Sequence, residues 1–401
     1  MKYLRSISTR RLLALCAATV AFGVGAVALA MAATGGGPKP PAEPLPVAVH
    51  DALTAPTVQG VSARIQFTNH LINGSNVQGA DPILSGASGR LWATSDGHLR
   101  LELQADSNSE GATSDSQVVS DGHRAWVYDS GSNTVFEGTL PTGHHGRDRG
   151  SSASEQPPSL TEIKKGIARL ADHALLSGAQ PTDIAGQPAY TVRVEPKRDA
   201  GLLGGAELAW DAVHGTPLRA AVYARGDSSP VLELKVTDIS YGAVSSSVFD
   251  ISPPPDAKVT DVNPPAHGDG AQSDAPPVTG FQAVQRQTSF AVAAPDTLAG
   301  LPRNEVRLIQ SGKDAGALVT YGHGLGGIAV IEGPAGPAQA TGSQSGDQGQ
   351  LSLPKVSVNG AQGEELETAL GTMVRFQRAG VEYTVIASAP SATVQTAARD
   401  L

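Results

Sequence analysis

The chain has 401 residues, a formal net charge of −9, 40% hydrophobic residues and only 4% aromatic residues. This length allows two domains of ordinary size, and the acidic balance argues against a nucleic-acid partner. The high numbers of glycine (46) and proline (28) favour many turns and short strands, and the lone cysteine, Cys16, excludes a disulfide in the folded part.

The N-terminal segment, residues 1–33, joins basic residues to a long apolar run. The uncharged run from Leu12 to Ala33 is long enough to cross a bilayer, which takes ~20 residues. The small residues around Met31 instead fit a signal-peptide cleavage site. A membrane anchor and a cleaved signal therefore both remain open, and either one places the rest of the chain outside the cytoplasm. The proline-rich residues 34–46 predict an extended tether.

Residues 47–255 alternate short apolar runs with turns, which predicts a first domain built mainly from strands. Ser62–Phe67 is one predicted strand, and Gly89–Ala93 pairs with His98–Leu103 across a turn. In the second arm of this hairpin, Leu99 and Leu101 alternate with charged residues, which is typical of a strand with one buried face.

Residues 117–138 predict two further tight hairpins in succession. An Asp-Gly pair at Asp121 marks the first turn, and residues 129–133 form the second. Side chains of the strand between the turns alternate, so its aromatic residues share one face and its aliphatic ones the other: Trp126 and Tyr128 against Ala125 and Val127. Two large aromatic side chains on one face require an apolar partner or an apolar ligand.

A single amphipathic helix is predicted within this domain, from Ser159 to Ser177. Ser159 and Glu162 form a capping box, and Gly178 supplies a left-handed stop. Its apolar stripe consists of Leu160, Ile163, Ile167, Leu170, Ala171 and Ala174. Four more predicted strands follow: Ala189–Val194, Glu207–Trp210, Leu218–Tyr223 and Val231–Ile239. This order predicts an α+β fold, a strongly twisted antiparallel sheet with a helix on its concave face.

Residues 256–279 are rich in proline and predict a linker to a smaller α+β domain at residues 280–401. Phe281–Phe290 is predicted to be helical or an irregular entry segment. The predicted strands are Glu305–Ile309, Ala317–Tyr321, Gly327–Glu332, Val356–Val358, Leu370–Gln377 and Val381–Ala387. A short helix is expected to begin near Pro390.

Three motifs resemble those of catalytic, phosphate-binding or metal-binding sites, but the rest of the chain does not support such sites. The triplet starting at Asp129 copies the Asp-Ser-Gly of aspartic proteases, but no second copy exists, so a hairpin turn explains it unless two chains combine. The glycines of residues 322–327 match GxGxxG, but a strand-like run follows where phosphate binding needs a helix. His144 and His145 have no third metal ligand nearby. No enzyme activity, metal or cofactor is therefore predicted.

The order of several motifs resembles that of the LolA/RseB family of exported lipoprotein carriers and envelope sensors, over roughly residues 58–259. The matching pieces are the Gly89–Leu103 hairpin, residues 120–122 and 126–129, 184–190, 209–211 and 217–219, and 248–250 with Pro253 and Pro254. The C-terminal half resembles, more faintly, the smaller domain of RseB-like regulators.

This resemblance implies a half-open antiparallel β-barrel with a helical lid over an apolar cavity for acyl chains. Candidate lining residues are Trp92, Leu99, Leu101, Trp126, Tyr128, Phe136, Ile163, Ile167 and Leu170, and for each the alternative is a side chain that fills a closed core. The implied function is a lipid- or lipoprotein-binding carrier or sensor. The alternative is an RseB-like regulator that acts on a membrane-bound anti-sigma factor by protein–protein contact; the tether and second domain favour a sensor or regulator over a carrier.

Overall fold

A computed structural model describes residues 37–72, 86–105, 115–130, 132–140, 157–197, 201–261, 278–311, 314–335 and 353–401. Within these residues the strands form a 13-stranded sheet followed by an 8-stranded sheet. The predicted signal or anchor, the His144-His145 pair and most of the predicted linker lie outside the described residues.

The first sheet is an open, almost entirely antiparallel array whose path runs β13-β6-β5-β4-β3-β2-β1-β12-β11-β10-β9-β7, with β8 paired to β9. Because β13 and β7 end the path without pairing with each other, the barrel is half-open, as predicted. Its strands are β1 Gly60–Asn69, β2 Ala87–Thr94, β3 His98–Ala105, β4 Asp115–Asp121, β5 Arg124–Asp129, β6 Thr134–Thr139, β7 Ala174–Leu176, β8 Gln180–Ile184, β9 Gln187–Pro196, β10 Leu203–Asp211, β11 Pro217–Ala224, β12 Leu232–Tyr241 and β13 Lys258–Asp261.

Helix α1, Leu45–Thr54, lies partly inside the region predicted to be a tether. Its apolar residues recur at helical spacing and pack on Tyr190 and Trp210 in one buried cluster: Leu45, Ala48, Val49 and Ala52. The chain before it is also bound to the sheet, because Tyr190 donates a 2.7 Å hydrogen bond to the carbonyl of Pro41. The described part of residues 34–46 therefore belongs to the folded body.

Helix α2, Leu160–Ala171, confirms the predicted capping box but ends earlier than expected. The Ser159 hydroxyl accepts from the backbone N–H of Glu162, and the Glu162 side chain accepts from that of Ser159 at 2.8 Å. The chain then turns into β7, where Leu176 pairs with Val194, so the end of the predicted helix is a strand. Gly178 does adopt a left-handed φ of +77°, but in the turn after β7.

The second sheet runs β14-β15-β16-β17-β21-β20-β19-β18 and packs on the C-terminal helix around Val330, Val374 and Val394. Its elements are α3 Phe281–Gln285, β14 Thr297–Leu298, β15 Leu301–Ser311, β16 Asp314–Tyr321, β17 Ile328–Pro334, β18 Lys355–Val358, β19 Ala361–Thr368, β20 Gly371–Arg378, β21 Val381–Ala387 and α4 Ser391–Asp400. All predicted strands are present, and β14 and β19 are additional.

A long connection, residues 242–257, leaves β12 and crosses to the opposite edge of the first sheet. It ends in β13, which pairs in parallel with β6. This connection is called the strap below. Since β13 lies within the region predicted as linker, the first sheet extends beyond its predicted end at residue 255.

Candidate functional site

The first sheet has two chemically different faces, and the cross-strand register shows which residues share each one. One face carries Ala63 and Val192; it is called the helix face because α1 packs on Val192 and α2 contacts α1. The other face carries Trp92 and Trp126 and is called the aromatic face. Adjacent strands place directly paired residues on the same face, so each face can be followed from strand to strand.

A continuous row of apolar residues crosses the helix face over seven strands. Directly paired residues form it: Phe136, Val127, Val118, Leu101, Leu91, Ala63 and Ile239. Ala63 and Ile239 are buried, whereas Phe136 at the far end is 37% exposed. This first apolar row therefore passes from the core to an uncovered edge.

A second apolar row lies on the same face, four residues further along β1 or roughly 13 Å away. It consists of Ala105, Ala87, Phe67, Leu234, Ala220, Leu208 and Val192. Helix α1 covers the Val192 end, but Leu208 and Leu234 are 40% and 46% exposed. Such a contiguous apolar surface marks a binding region more often than an isolated exposed leucine does.

Three predicted lining residues, Leu99, Leu101 and Phe136, lie on this helix face. The sequence reasoning missed Phe67, Leu208 and Leu234, although apolar residues alternate with charged ones in β12 and would have indicated Leu234. The three predicted lining residues on α2 differ in exposure: Ile163 is buried, Ile167 is half-buried and Leu170 is 46% exposed. The stripe of α2 is thus only partly covered, and the helix contacts α1 and β7.

Trp92, Trp126 and Tyr128 lie on the aromatic face, opposite the helices. Trp92 pairs with Arg100, Arg100 with Val119, and Val119 with Trp126, which fixes their common side. The expectation that these aromatic residues look across a space lidded by the helix is therefore wrong. The physical reason is that α2 docks on α1 and β7 and the strap passes over the aromatic residues instead.

Two contacts hold the strap on the aromatic face. Arg100 donates a 2.8 Å hydrogen bond to the carbonyl of Val248, and its guanidinium lies 5.3 Å from the ring centre of Trp92. The ring of Phe249 lies 5.5 Å from that of His98. Between the strap and the end of the β4–β5 hairpin remains a cavity of about 420 Å³, lined by Trp126 and Phe249 together with charged side chains. Its mixed lining is unlike an acyl cavity.

The buried carboxylate of Asp211 belongs to a structural turn. It accepts hydrogen bonds from the backbone N–H groups of Val213 and His214, at 2.7 and 2.9 Å, and from the hydroxyl of Tyr241 at 2.7 Å. Burial opposes ionisation, but a 3.2 Å contact from the His214 ring together with these hydrogen bonds outweighs it and lowers the pKa of Asp211. The carboxylate thus closes the β10–β11 connection.

Two of the three motifs that resemble catalytic or ligand-binding sites lie within the described residues, and both have the structures predicted for them. Asp129 begins a hairpin turn in which Ser132 donates a 2.6 Å hydrogen bond to its carboxylate. Residues 324–326 form a single 3-10 turn followed by strand β17, so the glycine motif joins two strands. Within the described ranges, no three His, Cys, Asp or Glu side chains are placed to share a metal ion. No helix among the described residues is long and apolar enough to span a membrane.

Comparisons with known proteins find similarity in structure. No protein-family model matches the chain, and no curated protein matches it. The structure of MucB in complex with MucA(peri) is similar with a TM-score of 0.38 and 17% identity, over 88% of this chain and 94% of that one. A structure of MucB has a TM-score of 0.36 and 16% identity, over 88% and 96%. A LolA superfamily protein from Nitrosomonas europaea has a TM-score of 0.19 and 9% identity, over 52% and 99%.

The described residues form a half-open, almost entirely antiparallel sheet with few helices, followed by a second sheet. At these identities and TM-scores the similarity carries no functional argument, and the residues of this chain carry the proposal below.

Proposed function

We propose that this chain is a non-enzymatic binding protein of the cell envelope whose helix face binds the acyl chains of a lipid or lipoprotein. The observation that carries the proposal is the second apolar row, where Leu208 and Leu234 remain 40% and 46% exposed beside Phe67. Covering the exposed part of one such leucine contributes about 1 kcal/mol, a fraction of the value for a fully exposed side chain, so an acyl chain laid along the row is a favourable occupant.

The partly covered stripe of α2 supports the same assignment. Leu170 keeps 46% of its surface exposed although Ile163 on the same stripe is buried. An acyl chain bound between the helices and the sheet would cover the remaining apolar surface. Leu99, Leu101 and Phe136 stay proposed lining residues, whereas Trp92, Trp126 and Tyr128 belong to the opposite face.

The double variant Leu208→Gln/Leu234→Gln is expected to weaken binding of a fluorescent dodecanoyl probe by more than about tenfold, because it removes apolar contact at the centre of the row. Fluorescence titration of the purified protein measures the change. Leu325→Gln is the matched control, since Leu325 is 59% exposed in the turn between β16 and β17 of the second sheet. Equal affinity for the double variant and the wild type would contradict the proposal.

A second candidate function is regulation through a protein partner, as in an RseB-like regulator of an anti-sigma factor. The second sheet favours this regulatory function, because backbone hydrogen bonds join it to the first sheet. The N–H of Leu202 donates to the carbonyl of Ser388 at 3.1 Å, and the N–H of Ala369 donates to that of Leu71 at 2.9 Å. The similar MucB structure was determined in complex with MucA(peri). Crosslinking in envelope membranes should then recover a membrane protein, and recovery of lipid alone would count against this candidate.

A further inference from the structure

The cavity on the aromatic face lies outside the proposed acyl site and has features of a separate binding site. Its volume of about 420 Å³ falls within the range of about 300–1,000 Å³ usual for small-ligand sites. Trp126 on β5 and Phe249 on the strap give it two aromatic walls. The cavity therefore combines an apolar slot with the charged residues around it.

Among the described lining residues, carboxylates outnumber basic side chains: Asp121, Glu137 and Asp261 against Arg124 and His98. The His98 ring lies beside that of Phe249. Hydrogen bonds from the backbone N–H groups of Arg124 and His123 lower the pKa of Asp121, so this group stays anionic.

Glu137 lies at the centre of this anionic lining. It pairs directly with Trp126 on one side and with Asp261 on the other. In the described part of the chain its carboxylate makes no hydrogen bond or ion pair. A cation that enters the cavity beside Trp126 can therefore pair with the carboxylate of Glu137.

The same face already contains an aromatic residue that binds a cation. The guanidinium of Arg100 lies 5.3 Å from the ring centre of Trp92, which is three strands from Trp126 in the same row. No arginine or lysine of the described residues lies in this way over the ring of Trp126. Trp126 instead has carboxylates beside it, the complementary arrangement for a cation that arrives from outside.

We propose that this cavity binds the basic side chain of an extended partner peptide, arginine or lysine. The aliphatic stem would pack against Trp126 and Phe249, and the charged head would bind Glu137. The strap and the short edge strand β13 border the cavity, so a peptide approaching along this edge reaches it. This binding is independent of the acyl proposal, since the two sites lie on opposite faces of the sheet.

Isothermal titration of the full chain with a blocked Ser-Arg-Ser peptide tests the proposal. We expect saturable binding that the citrulline peptide, neutral but of the same shape, lacks. Glu137→Gln should weaken the binding roughly three- to tenfold, because it removes a charge that contacts the head group. Asp238→Asn is the matched control, since Asp238 is an exposed carboxylate on β12 away from the cavity.

Three outcomes would overturn the proposal. The first is no binding of the arginine peptide at about 1 mM. The second is equal binding of the citrulline peptide, or an equal loss in Asp238→Asn and Glu137→Gln. The third is agmatine binding as tightly as the peptide, which would make a free amine the ligand. Because the helix-face variants leave this cavity intact, failure here and failure of acyl binding are distinguishable.

Discussion

Glu332→Gln is expected to stabilise the second sheet by about 3 kcal/mol above about pH 8 and to change its stability little near pH 4. Glu332 on β17 is fully buried, and it accepts a 2.8 Å hydrogen bond from the backbone N–H of Ala293. Its other oxygen has no partner in the described part of the chain. Burial raises the pKa of this carboxyl from 4.5 to about 7.

The direction of the pH dependence of stability follows from which state, folded or unfolded, keeps the proton on Glu332. Between 4.5 and about 7 the folded state keeps the proton on Glu332 and the unfolded state does not, so stability falls as pH rises through this window. Tyr321 and Tyr383 neighbour Glu332, and burial raises the pKa of both, to about 12 for Tyr321, so neither titrates there. The remaining nearby charges, Arg303 and Asp296, bind each other at 2.8 Å. Glutamine keeps an acceptor for Ala293 and removes the titration.

Chemical unfolding at about pH 5 and about pH 8, followed by far-ultraviolet circular dichroism, measures the effect. All three tryptophans lie in the first sheet, so their fluorescence reports that sheet separately. Glu367→Gln is the control, because Glu367 is exposed on β19 of the same sheet. If Glu332→Gln retained the pH dependence of the wild type, burial of Glu332 would not be its cause.

Local patterns in the sequence predicted the elements of the first sheet well. The alternation of Trp126 and Tyr128 with Ala125 and Val127 is present in the structure, since period-two alternation depends on the strand alone. The capping box at Ser159 is also local and was predicted correctly. These signals need no knowledge of distant residues.

The composition of the candidate site was not predictable in the same way. Which face of β5 meets the helices depends on where α2 docks and on the path of the strap, and both are set by distant residues such as Arg100 and Val248. The second apolar row brings together Phe67, Leu208 and Leu234 from strands far apart in sequence. No motif marks such a row, because each strand contributes only one ordinary apolar residue.

Helix α1 was missed for a different reason. The prolines before it indicate an extended tether, yet Leu45, Ala48, Val49 and Ala52 have helical spacing, and Pro46 is tolerated in the first turn. The tertiary contact with Trp210 stabilises a helix that composition alone disfavours. The β13 strand was similarly hidden, because four residues in a proline-rich region give little periodicity.

Gly201→Ala is expected to separate the two sheets. Gly201 has a φ of +66°, and a Cβ added there would collide with the backbone carbonyl of Ser388 in the second sheet. That carbonyl accepts from the N–H of Leu202 at 3.1 Å, and the Ser388 hydroxyl donates to the carbonyl of Leu370 at 2.7 Å. Because the colliding atom belongs to the backbone, the sheets have to move apart to accommodate a methyl group.

Amide hydrogen exchange at two separate points distinguishes separation from a local disturbance. The N–H of Leu202 and the N–H of Ala369, which donates to Leu71 at 2.9 Å, should both lose protection by more than about tenfold. Gly226→Ala is the control, because Gly226 also has a positive φ of +86° but open space around it. It carries the same backbone cost of about 1–2 kcal/mol without the collision. Loss of protection at Leu202 alone would show that Ala369 and Leu71 hold the sheets together independently.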